Sequence, residues 1–166
     1  MTFKSLFLLL FSTLFIVSCS KDDSNEETNM LPLAPPLIVG NWRISEFNIS
    51  NPGDFNGDGM TTTAVHTELT CYQHELTINE DGTFVETSTN IIVNFGPNGN
   101  ITSADCDVAI PRNGTWELSN NELAQYYNYL DSIIYHPVEI SQDRLIRLGM
   151  DTPPVFGTIE LIFDRQ

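Results

Sequence analysis

Basic side chains are scarce in this chain. Seven Lys and Arg stand against 22 Asp and Glu in 166 residues, a formal net charge of −15. So acidic a surface repels a phosphate backbone, which excludes nucleic acid as an expected partner. The acidic residues are spread along the chain and read as a solvated, self-repelling surface. Helical periodicity is missing too, since no apolar stripe of ten or more residues recurs at three- and four-residue spacing beyond Leu37. The marks of covalent catalysis are absent: there is no G-x-S-x-G, and His66, His74 and His136 lie far apart in sequence. HELTI at His74 opens as a zincin helix does but carries Ile78 where the second histidine belongs, and it alternates as a strand. No enzymatic activity is expected. The length suits one compact domain plus a tail.

Long hydrophobic runs are also wanting. The longest, Leu6 to Val17, is broken by Ser12 and Thr13 and is too short for a confident membrane span. With Lys4 ahead of it and Ser18-Cys19 behind, it has the layout of a secretory signal peptide. Ile16-Val17-Ser18-Cys19 resembles the lipobox of bacterial lipoproteins. That resemblance implies a signal peptide over residues 1–18, cleavage before Cys19, and a diacylglycerol on the Cys19 thiol with further acyl chains such as palmitate. Such an anchor is effectively permanent, whereas a single acyl chain is not. An ordinary signal peptide with an incidental cysteine is the competing reading.

Residues 19–36 follow as a disordered tether, acidic over SKDDSNEETN and then proline-punctuated, and the domain spans residues 37–166. Lys21 followed by Asp22 and Asp23 resembles the signal that sends some gram-negative lipoproteins to the cell exterior, and Ser20 stands where an inner-membrane retention signal has Asp. The expected location is the outer membrane, lipid-anchored, with its periplasmic and external faces both open.

Cys71 and Cys106 are left in a compartment where disulfides persist, and a bonded pair uses all three cysteines. A zinc site at Cys71-x-x-His74 lacks two further ligands.

Short apolar alternations separated by Gly, Asn and Asp make the domain all-β. In NWRISEFNIS, Trp42 and Ile44 lie on one face and Phe47 and Ile49 on the other, which predicts a bulge. HELTINEDGTF predicts a hairpin with Gly82 in the left-handed region and Ile78 opposite Phe84. Asn120-Asn121 and Gln142-Asp143 predict two further turns, and VFGTIELIFDR a closing strand. Eight or nine antiparallel strands joined as sequential hairpins suit an up-and-down barrel or a sandwich.

GNWRI at Gly40 resembles the Gly-x-Trp of lipocalins, where the tryptophan plugs the closed end of the barrel. The order GNW, DFNGDG, ELTC, INEDGTF, a second cysteine, NGTWELSNNEL and a final strand is similar to the lipocalin-like domains of bacterial lipoproteins. The resemblance implies an eight- to nine-stranded lipocalin-like β-barrel holding a small apolar ligand near Trp42 and Trp116, with Arg147 or Arg165 stacked beneath Trp42. The alternative is a solidly packed barrel serving as a scaffold for contact with an envelope protein. A monomer is expected in either case.

DFNGDG places Asp54, Asn56 and Asp58 at calcium-loop spacing and closes on Gly59, but position twelve is Val65 where an EF-hand needs glutamate. Weak calcium binding completed by Glu68, and an Asx-and-glycine turn, are both open readings.

Overall fold

The computed structural model describes residues 36–150 and 155–166. The expected signal peptide, Cys19 and the expected tether up to residue 35 lie outside them. Nine strands and one helical turn follow in order: β1 Gly40–Gly53, β2 Thr62–Ala64, α1 Val65–Glu68, β3 His74–Ile78, β4 Thr83–Phe95, β5 Ile101–Ser119, β6 Glu122–Tyr127, β7 Ile133–Ile140, β8 Arg144–Met150 and β9 Thr158–Arg165. Every pairing is antiparallel. β1 and β3 to β9 pair as neighbours, β9 returns to β1, and the short β2 adds to β1 as a flap, giving a closed eight-stranded barrel plus one strand.

Tight turns gather at one end, where each predicted turn forms. Asn79 donates its N–H to Thr83, Gly82 has φ 81°, and Ile78 faces Phe84. Asn120 and Asn121 take φ 51° and 62°, the double left-handed step of a two-residue hairpin, which sets Leu118 opposite Leu123. Ser141 donates to Arg144 around Gln142-Asp143.

In β1 the register slips between Ile44 and Glu46, so Ser45 is the extra residue of a bulge. The slip lets Trp42 and Phe47, of opposite parity, both turn inward and become buried.

The other end carries the long connections. The segment between β1 and β3 folds over it, hydrogen-bonded to β5 through Asp54 N–H to Ile101 and Ala104 N–H to Phe55. Phe55, Val65 and Leu69 are buried there, and Phe47, Tyr72, Phe55 and Phe156 meet through their rings. Cys71 is bonded to Cys106 with 6.0 Å between Cα atoms, tying this segment to β5. Closing the 35-residue loop stabilises the fold by about 3–4 kcal/mol in the chain-entropy account.

Candidate functional site

Side chains alternate in and out along a strand, so inward parity identifies what fills the lumen. Near the turn end these positions are apolar: Leu76, Ile78, Phe84, Leu123, Leu145 and Phe163 are all buried. One layer further in, the same parity brings His74, Glu86, Gln125, Tyr127 and Arg147 together, all buried as well.

Glu86 is the hub. Its Oε1 accepts from Arg147 Nη2 at 2.9 Å and lies 2.5 Å from His74 Nε2, while Oε2 accepts from the Tyr127 hydroxyl at 2.5 Å. Burial alone would raise this carboxyl. The Arg147 guanidinium, with the bonds from His74 and Tyr127, outweighs burial and holds it well below the usual carboxylate range. An ionised Glu86 only accepts, so Nε2 carries the proton of His74 and Nδ1 is left to accept from the Tyr72 hydroxyl at 3.2 Å. Burial keeps that histidine neutral by lowering its pKa, and it pushes Tyr72 up to about 12.

Each carboxylate and amide oxygen in this layer has a partner, but not every donor does. Gln125 Oε1 accepts from Arg147 Nη1 at 3.1 Å and lies 3.3 Å from the Tyr127 hydroxyl. Gln125 Nε2 and Arg147 Nε are buried without a partner. Leaving such donors unpaired costs on the order of 1–3 kcal/mol each.

The wall beside Arg147 is open. β7 and β8 pair only from Ile140–Leu145 to Val138–Arg147, although both strands run on. Pro137 explains the stop. Val138 gives its N–H to Asn121 on the β6 side, so the next residue along should donate towards β8, and proline has no N–H to give. A cleft of about 170 Å³ occupies this seam, lined by His136, Arg147, Leu148, Gly149, Ile159 and Leu161. Burial, reinforced by the Arg147 charge, lowers His136 to about 4 and keeps it neutral. A second cleft of about 430 Å³, lined by residues including Ile110, Arg112, Asn128 and Tyr129, lies between β5 and the loop after β6.

Trp42 stands at the turn end, its indole N–H donating to the Ile38 carbonyl and its ring under the Arg165 guanidinium at 4.1 Å. Arg165 is therefore the stacking arginine, and Arg147 instead approaches Phe163 at 5.7 Å. Trp116 is half-buried and donates to the Asn79 carbonyl at the β3–β4 turn. Neither tryptophan lines the two clefts just described.

The DFNGDG loop is built from its own hydrogen bonds. Asp54 accepts from the N–H groups of Gly57, Asp58 and Gly59, Asn56 from Asp58, and Asp58 from Met60. Glu68, the expected fourth ligand, accepts from the Phe55 N–H instead. The Asx oxygens thus serve the loop's own backbone, as in an Asx-and-glycine turn, and no group of three His, Cys, Asp or Glu side chains converges among the described residues. Cys71 is consumed by its disulfide and His74 by Glu86, so the Cys-x-x-His pair is not a zinc site.

Sequence reasoning missed the polar layer and the seam. Its available signals were charges at inward parity, Glu86 two residues from Phe84 and Arg147 two from Leu145, and a proline in mid-strand beside His136.

The sequence profile described as a lipocalin-like domain matches residues 38–146. No curated protein matches at a significant level. Among solved structures the chain is similar to an uncharacterized protein from Bacteroides eggerthii, at 12% identity across 77% of this chain and 98% of that one, with a TM-score of 0.41.

Proposed function

The chain belongs to the lipocalin-like domain family, and on that premise we propose that it is a lipid-anchored cell-envelope protein whose barrel binds a small, largely apolar ligand. The observation that carries the reading is the buried Glu86–Arg147–His74 layer with its two unpaired donors. A barrel kept only as a scaffold is served as well or better by hydrophobic side chains of the same volume, because a buried ion pair seldom repays its desolvation. Retaining the layer makes sense where a ligand completes it.

Binding, not catalysis, is the role proposed. His74 is 2% exposed and both its ring nitrogens are engaged, so it offers no free base to a substrate. The anchor is the lipid on Cys19, in the outer membrane of a gram-negative bacterium, and the protein acts as a monomer. Native mass spectrometry of the extracted protein tests the binding reading: a co-purified small molecule, or uptake from a lipid panel, supports it, and neither appearing counts against it. Labelled palmitate should enter the wild-type protein and not Cys19→Ser.

One observation favours an envelope-protein contact as a second reading. The far half of the β4–β5 hairpin exposes Ile92, Phe95, Val108 and Ile110. A pull-down in which Val108→Asp loses a partner held by the wild type would move the balance to that reading.

A further inference from the structure

The lumen is short of negative charge as well as short of acceptors. No lysine occurs after Lys21, so the barrel's cations are five arginines. Arg43 pairs with Glu75, Arg144 lies near Glu46 and Asp164, Arg165 covers Trp42, and Arg147 pairs with Glu86. Arg112 is left. It sits directly across from Glu86 in the β4–β5 register, yet Glu86 turns to Arg147, and Arg112 reaches only the Ser88 hydroxyl at 3.4 Å. Above the Trp42–Arg165 floor, inward parity thus delivers two guanidiniums and one carboxylate, together with histidines that burial holds neutral. In a chain of net charge −15, an excess cation on the inner wall is a selective feature.

Among the described residues, both buried side-chain atoms without a partner are N–H donors, and one belongs to Arg147, which lines the seam cleft. The partner that satisfies the Arg147 donor in this cleft is an acceptor, and the surplus cation on the inner wall favours one that is negatively charged. The rest of the cleft is Leu148, Gly149, Ile159 and Leu161, with His136 at the side. Gly149 leaves its inner face open, since a Cβ placed there meets nothing within 4 Å.

We propose that the seam opened by Pro137 between β7 and β8 takes the acidic end of an amphipathic ligand, a carboxylate-bearing apolar molecule whose carboxylate accepts from Arg147 beside His136 while its first carbons lie against Leu148, Ile159 and Leu161. The inference rests on the binding role proposed above and adds the ligand's chemical class and its port.

The test is calorimetric titration of the full chain carrying Cys19→Ser with octanoate, octanol and methyl octanoate. Octanoate should bind with single stoichiometry and about tenfold or more tighter than either neutral compound, ~1.4 kcal/mol or more. Gly149→Val fills the cleft from an open position, and Pro137→Val supplies the missing donor and lets the ladder close. Each should weaken octanoate about tenfold or more without lowering the melting temperature. If octanol and the ester bind as well as octanoate, or if both variants bind octanoate normally, the acidic port is overturned while the binding role stands. If none of the three compounds binds, both fall.

Discussion

The Arg165 guanidinium lies 4.1 Å from the ring centre of Trp42 and joins the last strand to the first at the turn end of the barrel. The same guanidinium donates to the carbonyls of Val39, Leu37 and Gln142, so one side chain ties the chain leading into β1, the β7–β8 turn and the barrel floor. The contact also explains the glycine of Gly-x-Trp. Gly40 has φ 147°, and a Cβ there would collide with Arg165 Nη1. Arg165→Ala should destabilise the fold by about 2–4 kcal/mol, from charge-assisted hydrogen bonds and the lost stacking. Gly40→Ala should act in the same direction by displacing the guanidinium. Urea unfolding followed by tryptophan fluorescence measures both, and a loss below about 0.5 kcal/mol for Arg165→Ala would remove it from the floor of the barrel.

Much of this end was legible in the sequence because its determinants are local. Asn120-Asn121 and Gly82 carry their turn conformations in their own backbone preferences, and the opposite parity of Trp42 and Phe47 required a bulge between them. Arg165 was legible as one of two candidates. The polar layer was not, because Glu86 and Arg147 lie 61 residues apart and meet each other and His74 only when the barrel closes. The seam was missed for a different reason: which neighbouring strand Pro137 fails to bond is settled only once Val138 is seen to spend its N–H on the β6 side.

The Cys71–Cys106 bond links the β1–β3 segment to β5 across 35 residues. Replacing both cysteines with serine should cost about 3–4 kcal/mol and lower the melting temperature by roughly 10 °C. Phe55 and Val65, which anchor that segment, should gain protease sensitivity before the barrel unfolds. Unchanged melting would mean that the segment is held by its apolar contacts alone.

Calcium should leave stability unchanged. The oxygens of Asp54, Asn56 and Asp58 already serve N–H groups of their own loop. Melting in millimolar calcium and in chelator should therefore coincide, since a ligand shifts stability only through binding the folded state. A calcium-dependent rise would make the loop a metal site.

Acid should weaken the fold in a definite window. His136 is lowered from 6.5 to about 4 by burial and then by Arg147, and burial lowers His74 as well. A histidine with a depressed folded-state pKa stays neutral in the fold while the unfolded chain takes up the proton. Its stabilising share is thus complete above the unfolded value of 6.5 and is lost as pH falls towards about 4. Glu86, depressed in its turn, begins to lose its share as pH falls through the ordinary carboxylate value of 4.5 and goes on losing it down to its own depressed value. Denaturant midpoints should hold steady above pH 7 and fall between pH 6.5 and 4 by an amount on the order of a few kcal/mol. In His136→Phe the slope in that interval should be shallower and the fall at lower pH should remain, because Glu86 and Arg147 are untouched. An identical slope in the variant would show that His136 is exposed to the solvent proton in the folded state and that the seam does not bury it.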